Sequence, residues 1–405
     1  MLNQSFTYSN LKKLSGKSVV KFNDSGLLND DYLENEYLSI SDKLKNNSYE
    51  FDDFRLRKVD SNSIIECGSL VDELVLKKLN DNIKRLFKIH QADRSAIVKQ
   101  VISLLKDSQP FSIIRLDFKS FYESVNRKSV VSFVHDEWLL SHSGRTVLNN
   151  FSDRMDELSI PGLPRGLAIS STLSELYLRP FDKAIRKIPN IYYYERFVDD
   201  IVVFCFGSVS EVRERIERVR QEFVPDLTFN DKTEIVEFCE NQSLYRGFDF
   251  LGYRFNAGPI GNHKEKREVK ITISKKKITK IKKRVERSIR SYYRNGNSNL
   301  LLARLSFLSG NQYVVSDIER SKLKSGIYFN YPLITDKSQL KHLDVFFQKT
   351  IRTEYPAIRR SIDKLKHKDM STFVKISKLS FMYGYEKRVM NNFSYLIRKK
   401  IRKCW

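Results

Sequence analysis

Apolar residues recur along this chain in two rhythms, and the changes between them mark out its elements. Leu70, Leu74, Leu76, Leu79, Ile83 and Phe87 fall at helical spacing, as do Ile97, Val101, Leu104 and Leu105, which predicts helix over 69–106 with an interruption at Gln91-Ala92-Asp93-Arg94. The stretch Phe111-Ser-Ile-Ile-Arg-Leu116 predicts a strand that runs into Asp117. Helical patterning returns over 128–151, Pro161–Gly166 reads as a turn, and 171–188 reads as an apolar-faced helix that Pro180 should kink or split. Two β-favouring runs, Ile191–Tyr194 and Ile201–Phe206, flank Asp199 and Asp200, a pattern of a β-hairpin with both acids at its turn. A charged helix follows over 211–223, then a strand over 248–255 with Gly252 inside it, then turn residues over 256–261. Residues 1–50 are polar, with short apolar clusters at Leu27-Leu28 and Tyr37-Leu38, and read as a lead-in. Helices and strands that alternate without a regular βαβ repeat predict an α+β core.

Composition sharpens this in one respect above all. The chain has 405 residues, enough for two or three packed units. Its net charge of +23 is unevenly placed. Residues 261–405 hold 36 of the 72 Lys and Arg but only 11 of the 49 Asp and Glu, whereas the first 260 residues hold 36 against 38. A one-signed surplus of that size repels itself and attracts polyanions, which points to nucleic acid ahead of anionic membrane. The helix expected from Ser274 to Arg294 concentrates the effect, with ten basic residues against Glu286 alone. Its apolar residues Ile278, Ile281, Val285, Ile289 and Tyr292 are spaced 3, 4, 4 and 3 apart, leaving a basic face of which Lys275, Lys276, Lys280, Lys283 and Arg287 are the candidate phosphate contacts. Aromatic residues follow, among them Tyr313, Tyr328, Phe329, Tyr331, Phe346 and Phe347, as core members or as stacking surfaces for bases. Four scattered cysteines without a Cys-x-x-Cys pair argue against a structural zinc site and a disulfide framework. With a polar N-terminus and apolar runs far short of a membrane span, they make the expected compartment cytoplasmic, with no membrane partner.

The candidate chemistry lies at strand ends. Asp117 ends one predicted strand, and Asp199-Asp200 sit at the turn of a hairpin 82 residues later. Alone, that acidic pair reads equally as a polar turn or as part of a metal site. Carboxylates converging from adjacent strands would suit a pair of Mg²⁺ ions, with Mn²⁺ as the alternative, and the lack of a His/Cys cluster argues against zinc. Between the acids lies Gly162-Leu-Pro-Arg-Gly-Leu-Ala-Ile-Ser170, where Gly166 would let the backbone approach a ligand closely.

The order of these blocks resembles the palm motifs of reverse transcriptases: Leu116-Asp-Phe-Lys-Ser-Phe-Tyr122, then Gly162–Ser170, then Phe197-Val-Asp-Asp200. Leu227–Thr233 is similar to the family's fourth motif, and Phe248-Asp-Phe-Leu-Gly-Tyr253 to its primer grip. The five blocks cover about residues 111–255, and the bacterial branch fits best: retrons, group II introns, abortive-infection enzymes and, most of all, antiviral defence-associated reverse transcriptases of the class 3 type.

The resemblance implies a right-hand polymerase fold with an N-terminal and fingers region at 1–110, a palm at 111–257 (its fingers segment at about 126–165) and a basic, mainly helical thumb and C-terminal region at 258–405. It implies a metal set of Asp117, Asp199, Asp200 and the Phe118 carbonyl, with Asp200 the more peripheral acid, and Lys232 beside the departing pyrophosphate. Tyr122 matches the aromatic steric gate, while Phe121 is the likelier core ring of that pair. Arg94, and more weakly Lys99, match the triphosphate grip. Arg165, Gly166 and Ser170 would face the incoming nucleotide, and Gly252 the primer; Arg165 stands where relatives commonly keep Gln. The implied partners are dNTPs, a DNA product and an RNA template, the last a dedicated non-coding RNA, with a second polymerase or a homo-oligomer as a further partner. Two alternatives stay open: a non-catalytic RNA-binding protein that keeps the fold, and a template-independent or RNA-synthesising polymerase.

Overall fold

The structure, a computed structural model, describes all residues except 1, 23–29, 47, 53, 60–61, 232, 240–241, 261–265, 315–322 and 353–366. Two helices come first, α1 (Tyr8–Phe22) and α2 (Asp30–Lys45), then a hairpin, β1 (Phe54–Val59) and β2 (Asn62–Cys67), then α3 (Leu70–Leu86) and α4 (Arg94–Leu104). β3 (Phe111–Asp117) leads into α5 (Phe121–Ser124), α6 (Arg127–Asp136), α7 (His142–Glu157) and α8 (Ala168–Ile185). β4 (Ile191–Phe197), β5 (Asp200–Cys205), α9 (Val209–Phe223) and β6 (Glu234–Phe238) follow. Next come β7 (Arg246–Phe250), β8 (Tyr253–Ile260), β9 (Arg267–Ile273), α10 (Lys275–Asn295) and α11 (Ser298–Ser309). The remainder comprises β10 (Asn311–Tyr313), β11 (Lys324–Gly326), α12 (Ser338–Arg352), α13 (His367–Ser377), α14 (Phe381–Glu386), β12 (Met390–Asn391) and α15 (Tyr395–Arg402). The chain divides into two compact units, one of residues 1–94 and 110–237, the other of 95–109 and 238–405.

The first unit is built on a four-stranded sheet in the order β4-β5-β3-β6. Alternation along its strands sends Ile114, Leu116, Ile201, Val203 and Tyr194 to one face, where they join Leu173, Leu178 and Phe181 of α8 and Val212 and Ile216 of α9 in the core. That core extends to α3 through Leu74, Val75, Leu79 and Ile83, all essentially inaccessible to solvent. Helix α8 runs unbroken across Pro180, where a kink or a split was expected. Its interior side chains Leu178, Phe181 and Ile185 are fully buried, and this packing offsets the loss of one backbone hydrogen bond. The polar lead-in is also more than that: α1 and α2 place Leu11, Tyr37 and Ile40 in the same core, while Leu27-Leu28 lies outside the described residues.

The second unit holds a three-stranded sheet, β7-β8-β9, and another of order β11-β10-β12. The stretch 248–255, which reads as one strand, is a hairpin. Leu251 and Gly252 both have positive φ, 47° and 81°, and form the two-residue turn between β7 and β8. The turn-like residues 256–260 belong to β8, whose pairing with β9 shifts register between Ala257 and Ile260. Helix α10 follows its expected span, with Val285, Ile289 and Tyr292 buried. Among the described residues, no helix is long and apolar enough to cross a membrane.

Candidate active site

The register of the first sheet brings the acids together. β3 pairs with β5 so that Asp117 lies opposite Asp200, and β4 pairs with β5 so that Phe197 lies opposite Asp200. Val198 and Asp199 are thereby the turn itself. Directly opposed residues of an antiparallel pair project from the same face, so Asp117 and Asp200 share the face turned away from α8 and α9. The Asp199 carboxyl is pushed up to about 6, first by burial and then by the charges of Asp200 and Asp117, with Arg165 opposing. The charges of Asp117, 82 residues earlier, and of Asp200 thus both reach the Asp199 carboxyl. They are not equivalent: Asp200 is held by Arg115 at 3.3 Å, and Arg115 also reaches Glu234 at 3.6 Å.

The turn that carries Asp199 is held from beneath. Val198 has φ 61°, a conformation that β-branched residues rarely adopt. Its carbonyl accepts a hydrogen bond of 2.9 Å from Arg196 Nη1. Arg196 is almost fully buried and makes two-point contacts with Asp182 (3.0 and 2.8 Å) and Glu175 (3.1 and 2.6 Å), so every guanidinium donor is engaged. Tyr194 donates to the same Asp182 at 2.6 Å. The expected site set did not include this network. Its sequence signal was the position of Arg196, two residues after Tyr194 on the inward face of β4.

A second group stands beside the acids. Tyr122 is half-buried against Phe121, and its phenol is pushed up by burial and by the charge of Asp199, which makes these two groups neighbours. Phe121 is the core ring of the pair, at 1% exposure. Arg165 lies over the Tyr122 ring at 5.5 Å and grips Glu123 at 2.5 and 2.9 Å, holding that carboxyl below its usual range. The loop between the acids is clamped at both glycines. A Cβ on Gly162 (φ 59°) would lie 2.3 Å from the Tyr122 carbonyl, and Leu163 donates to that carbonyl at 2.7 Å. A Cβ on Gly166 (φ 105°) would lie 2.4 Å from the Ile65 carbonyl. The close approach expected at Gly166 is therefore to the chain's own β2, and Ile65 completes it by donating to the Arg165 carbonyl at 2.7 Å. Ser170, in the first turn of α8, is buried and donates its hydroxyl to the Pro164 carbonyl at 2.6 Å. The hairpin β1–β2, which the sequence pattern did not disclose, presents Arg55, Arg57 and Lys58 to solvent.

The remaining candidates fall in several places. Phe118 is buried between Phe121 and Phe229, its amide donating to the Asp199 carbonyl at 3.4 Å. The stretch carrying Thr228 and Asn230 lies along β3: Asn230 donates to the Asp117 carbonyl at 2.7 Å and Lys119 to that of Thr228 at 2.9 Å. Lys232 lies outside the described residues. Arg94 opens α4, and Lys99 is exposed one turn further on. In the second unit, the Gly252 carbonyl accepts from Ser274 at 3.0 Å, which ties the β7–β8 turn to the start of α10. Lys275, Lys276, Lys280, Lys283 and Arg287 are all exposed on that helix.

Oxygen donors from Asp117 and Asp199 suit a hard divalent cation, and a cation would offset both the burial of the Asp199 carboxyl and the neighbouring charges that lift it. Among the described residues, no three His, Cys, Asp or Glu side chains are gathered round one point. Asp200 is the acid drawn aside, by Arg115.

No family model matches the chain, and no curated protein does. Among solved structures it shows a weak likeness to apo telomerase from Candida tropicalis truncated from its C-terminal domain, with TM-score 0.35, 13% identity, and coverage of 50% of this chain and 45% of that one. The chain thus spans less than half the length of that structure.

Proposed function

We propose that this chain is an RNA-directed DNA polymerase, extending a DNA strand by nucleotidyl transfer. The observation that carries the reading is the pairing of Asp117 with Asp200 beside the Asp199 turn, with Tyr122 as its neighbour. The block order Asp117, Gly162–Ser170, Asp199-Asp200, Leu227–Thr233 and Phe248–Tyr253 supports the same class.

In this reading Asp117, Asp199 and the Phe118 carbonyl would hold two Mg²⁺ ions, or Mn²⁺ in their place, with Asp200 the more peripheral acid of the set. Bound there, the metal would activate the attacking hydroxyl and neutralise charge on the phosphoryl group. The protein's own residues do the positioning. Arg196 fixes the turn that presents Asp199. Tyr122, backed by Arg165, offers a ring edge against which a ribose 2′-hydroxyl would clash. Arg94 and Lys232 remain the candidates for the triphosphate and the departing pyrophosphate, and the exposed cations of α10 for the nucleic-acid backbone. The likeness to bacterial defence enzymes supports an antiphage role, a dedicated non-coding RNA as template, and a second polymerase or another copy of the chain as partner.

The test is primer extension on an RNA template with dNTPs. Asp199→Ala should lower incorporation by about 10³-fold or more, the loss of several kcal/mol of charge stabilisation, while RNA binding persists. Undiminished synthesis by that variant would overturn the assignment. A non-catalytic RNA-binding protein is the second reading, favoured by the engagement of Asp200 with Arg115. It predicts no Mg²⁺-dependent incorporation by the unmodified chain on any primed template.

A further inference from the structure

We propose that a cleft between α10, α11 and α15, which shares Arg287 with the basic face of α10, is a binding site for clustered phosphates. The cleft has a volume of about 610 Å³ and is lined by Arg287, Arg290, Arg294, Arg304, Lys400 and Lys403, with no acidic residue among its walls. Arg287, Arg290 and Arg294 recur at spacings of three and four, so they form one stripe along α10. Like charges so placed repel one another, and an anion between them removes that cost.

Cations near helix C-termini are also explained by the helix dipole, and Arg294 and Lys400 occupy such positions. That account does not reach Arg304. This side chain is only 5% exposed, and its guanidinium stays charged under all ordinary conditions. Nη1 donates to Ser291 Oγ at 2.8 Å and Nη2 to the Lys400 carbonyl at 3.3 Å, both neutral acceptors, and these bonds fix the plane of the group. Its Nε is buried and has no hydrogen-bond partner among the described residues. A buried guanidinium with an unmet N–H, in a wall that holds five further cations beside the neutral Ser291, Asn295, Leu300 and Cys404, is an arrangement an anion completes.

The charge count selects the anion. A phosphate monoester brings at most two negative charges to six cations, whereas a triphosphate brings about four and spans several arginine forks. A cleft of this size falls within the range that admits a nucleotide-sized ligand. The shared chemistry is therefore a triphosphate, carried either on the 5′ end of an RNA or by a free nucleoside triphosphate. Neither source requires polymerase activity, so the site stands or falls independently of the function proposed above.

The experiment titrates sodium tripolyphosphate into the full chain by calorimetry at fixed ionic strength. A saturable site is expected, weakened at least tenfold in the double variant Arg290→Ala/Arg294→Ala, whose positions are exposed and whose fold is checked by circular dichroism. Arg304→Met should abolish binding. If that variant does not fold, Arg304→Lys, which keeps the charge but not the planar donors, should weaken binding in its place. RNAs of one sequence with 5′-triphosphate or 5′-hydroxyl ends then separate the sources. A tenfold preference for the triphosphate, lost in the double variant, identifies the RNA end; equal affinity alongside retained tripolyphosphate binding identifies a free nucleotide. Absence of saturable binding, or unchanged affinity in the double variant, overturns the proposal.

Discussion

Arg196 is the side chain on which the Asp199 turn rests. It is buried against the partly buried Glu175 and Asp182 and holds the Val198 carbonyl, so one residue both neutralises two acids and fixes a strained turn. Replacing it with Met would leave those carboxylates without their cation, and breaking a buried pair from one side typically costs about 3–5 kcal/mol. We expect Arg196→Met to lose stability on that scale in denaturant unfolding, and Arg196→Lys to recover only part of it, because a point charge cannot serve both carboxylates and the carbonyl. A loss below about 1 kcal/mol would show that the network is not structural. Tyr122 permits a sharper test of chemistry. Its ring is backed by Arg165 and borders Asp199, so Tyr122→Val opens space there without touching an acid. The expected result is a fall in deoxynucleotide over ribonucleotide preference by roughly 100-fold, read from single-nucleotide incorporation, the scale on which pocket shape discriminates. Unchanged sugar preference would remove Tyr122 from the gate.

At the scale of elements, the sequence disclosed what local pattern determines and concealed what pairing determines. The Asp199 hairpin was readable because two β-branched and aromatic runs flank the acids, and α10 because its apolar spacing is regular over several turns. The hairpin β1–β2 was not readable, because Arg55, Leu56, Arg57 and Lys58 are all exposed and show no period of two. What makes it a hairpin is its pairing and its bond to the Arg165 carbonyl, more than 90 residues away in sequence. The split of 248–255 into two strands was hidden for a related reason: Leu251 takes a positive φ that nothing in a leucine announces. Of the candidate site, the three acids and Tyr122 were visible as motifs, whereas Arg196, Glu175 and Asp182 were not, since their role exists only once α8 packs on the sheet. The clamp on the inter-acid loop can be isolated by comparing two glycines of similar φ. Gly162 (φ 59°) is hemmed in by the Tyr122 and Glu123 carbonyls, while a Cβ on Gly296 (φ 61°) would meet nothing within 4 Å. Both Ala variants carry the backbone penalty of about 1 kcal/mol. Gly162→Ala should cost about 1–3 kcal/mol beyond that and lower incorporation, because the loop must shift away from Tyr122. Equal thermal stability of the two variants would contradict the clamp.

On the scale of the whole molecule, the division of charge is the dominant fact. The first 260 residues are near balance, while the last 145 hold 36 basic side chains against 11 acidic ones. Burial explains why this surplus is available to a polyanion. On α10 the apolar face is packed inward through Val285, Ile289 and Tyr292, so Lys275, Lys276, Lys280, Lys283 and Arg287 are left in solvent. Each phosphate neutralised by such a side chain releases counterion, which makes affinity fall with salt by about 0.7 in log–log slope per contact for single strands. Replacing all five with Gln should therefore flatten the salt dependence of RNA binding by roughly 3–4 units if every one of them meets a phosphate. The fold should tolerate the change, because exposed substitutions away from packing contacts usually fall within about 0.5 kcal/mol each. Asp199→Ala, in the other unit, should leave the slope where it was, since removing an acid near the chemistry adds no phosphate contact. An undiminished slope in the five-residue variant would move the nucleic-acid interface off α10 and onto other cations of the second unit.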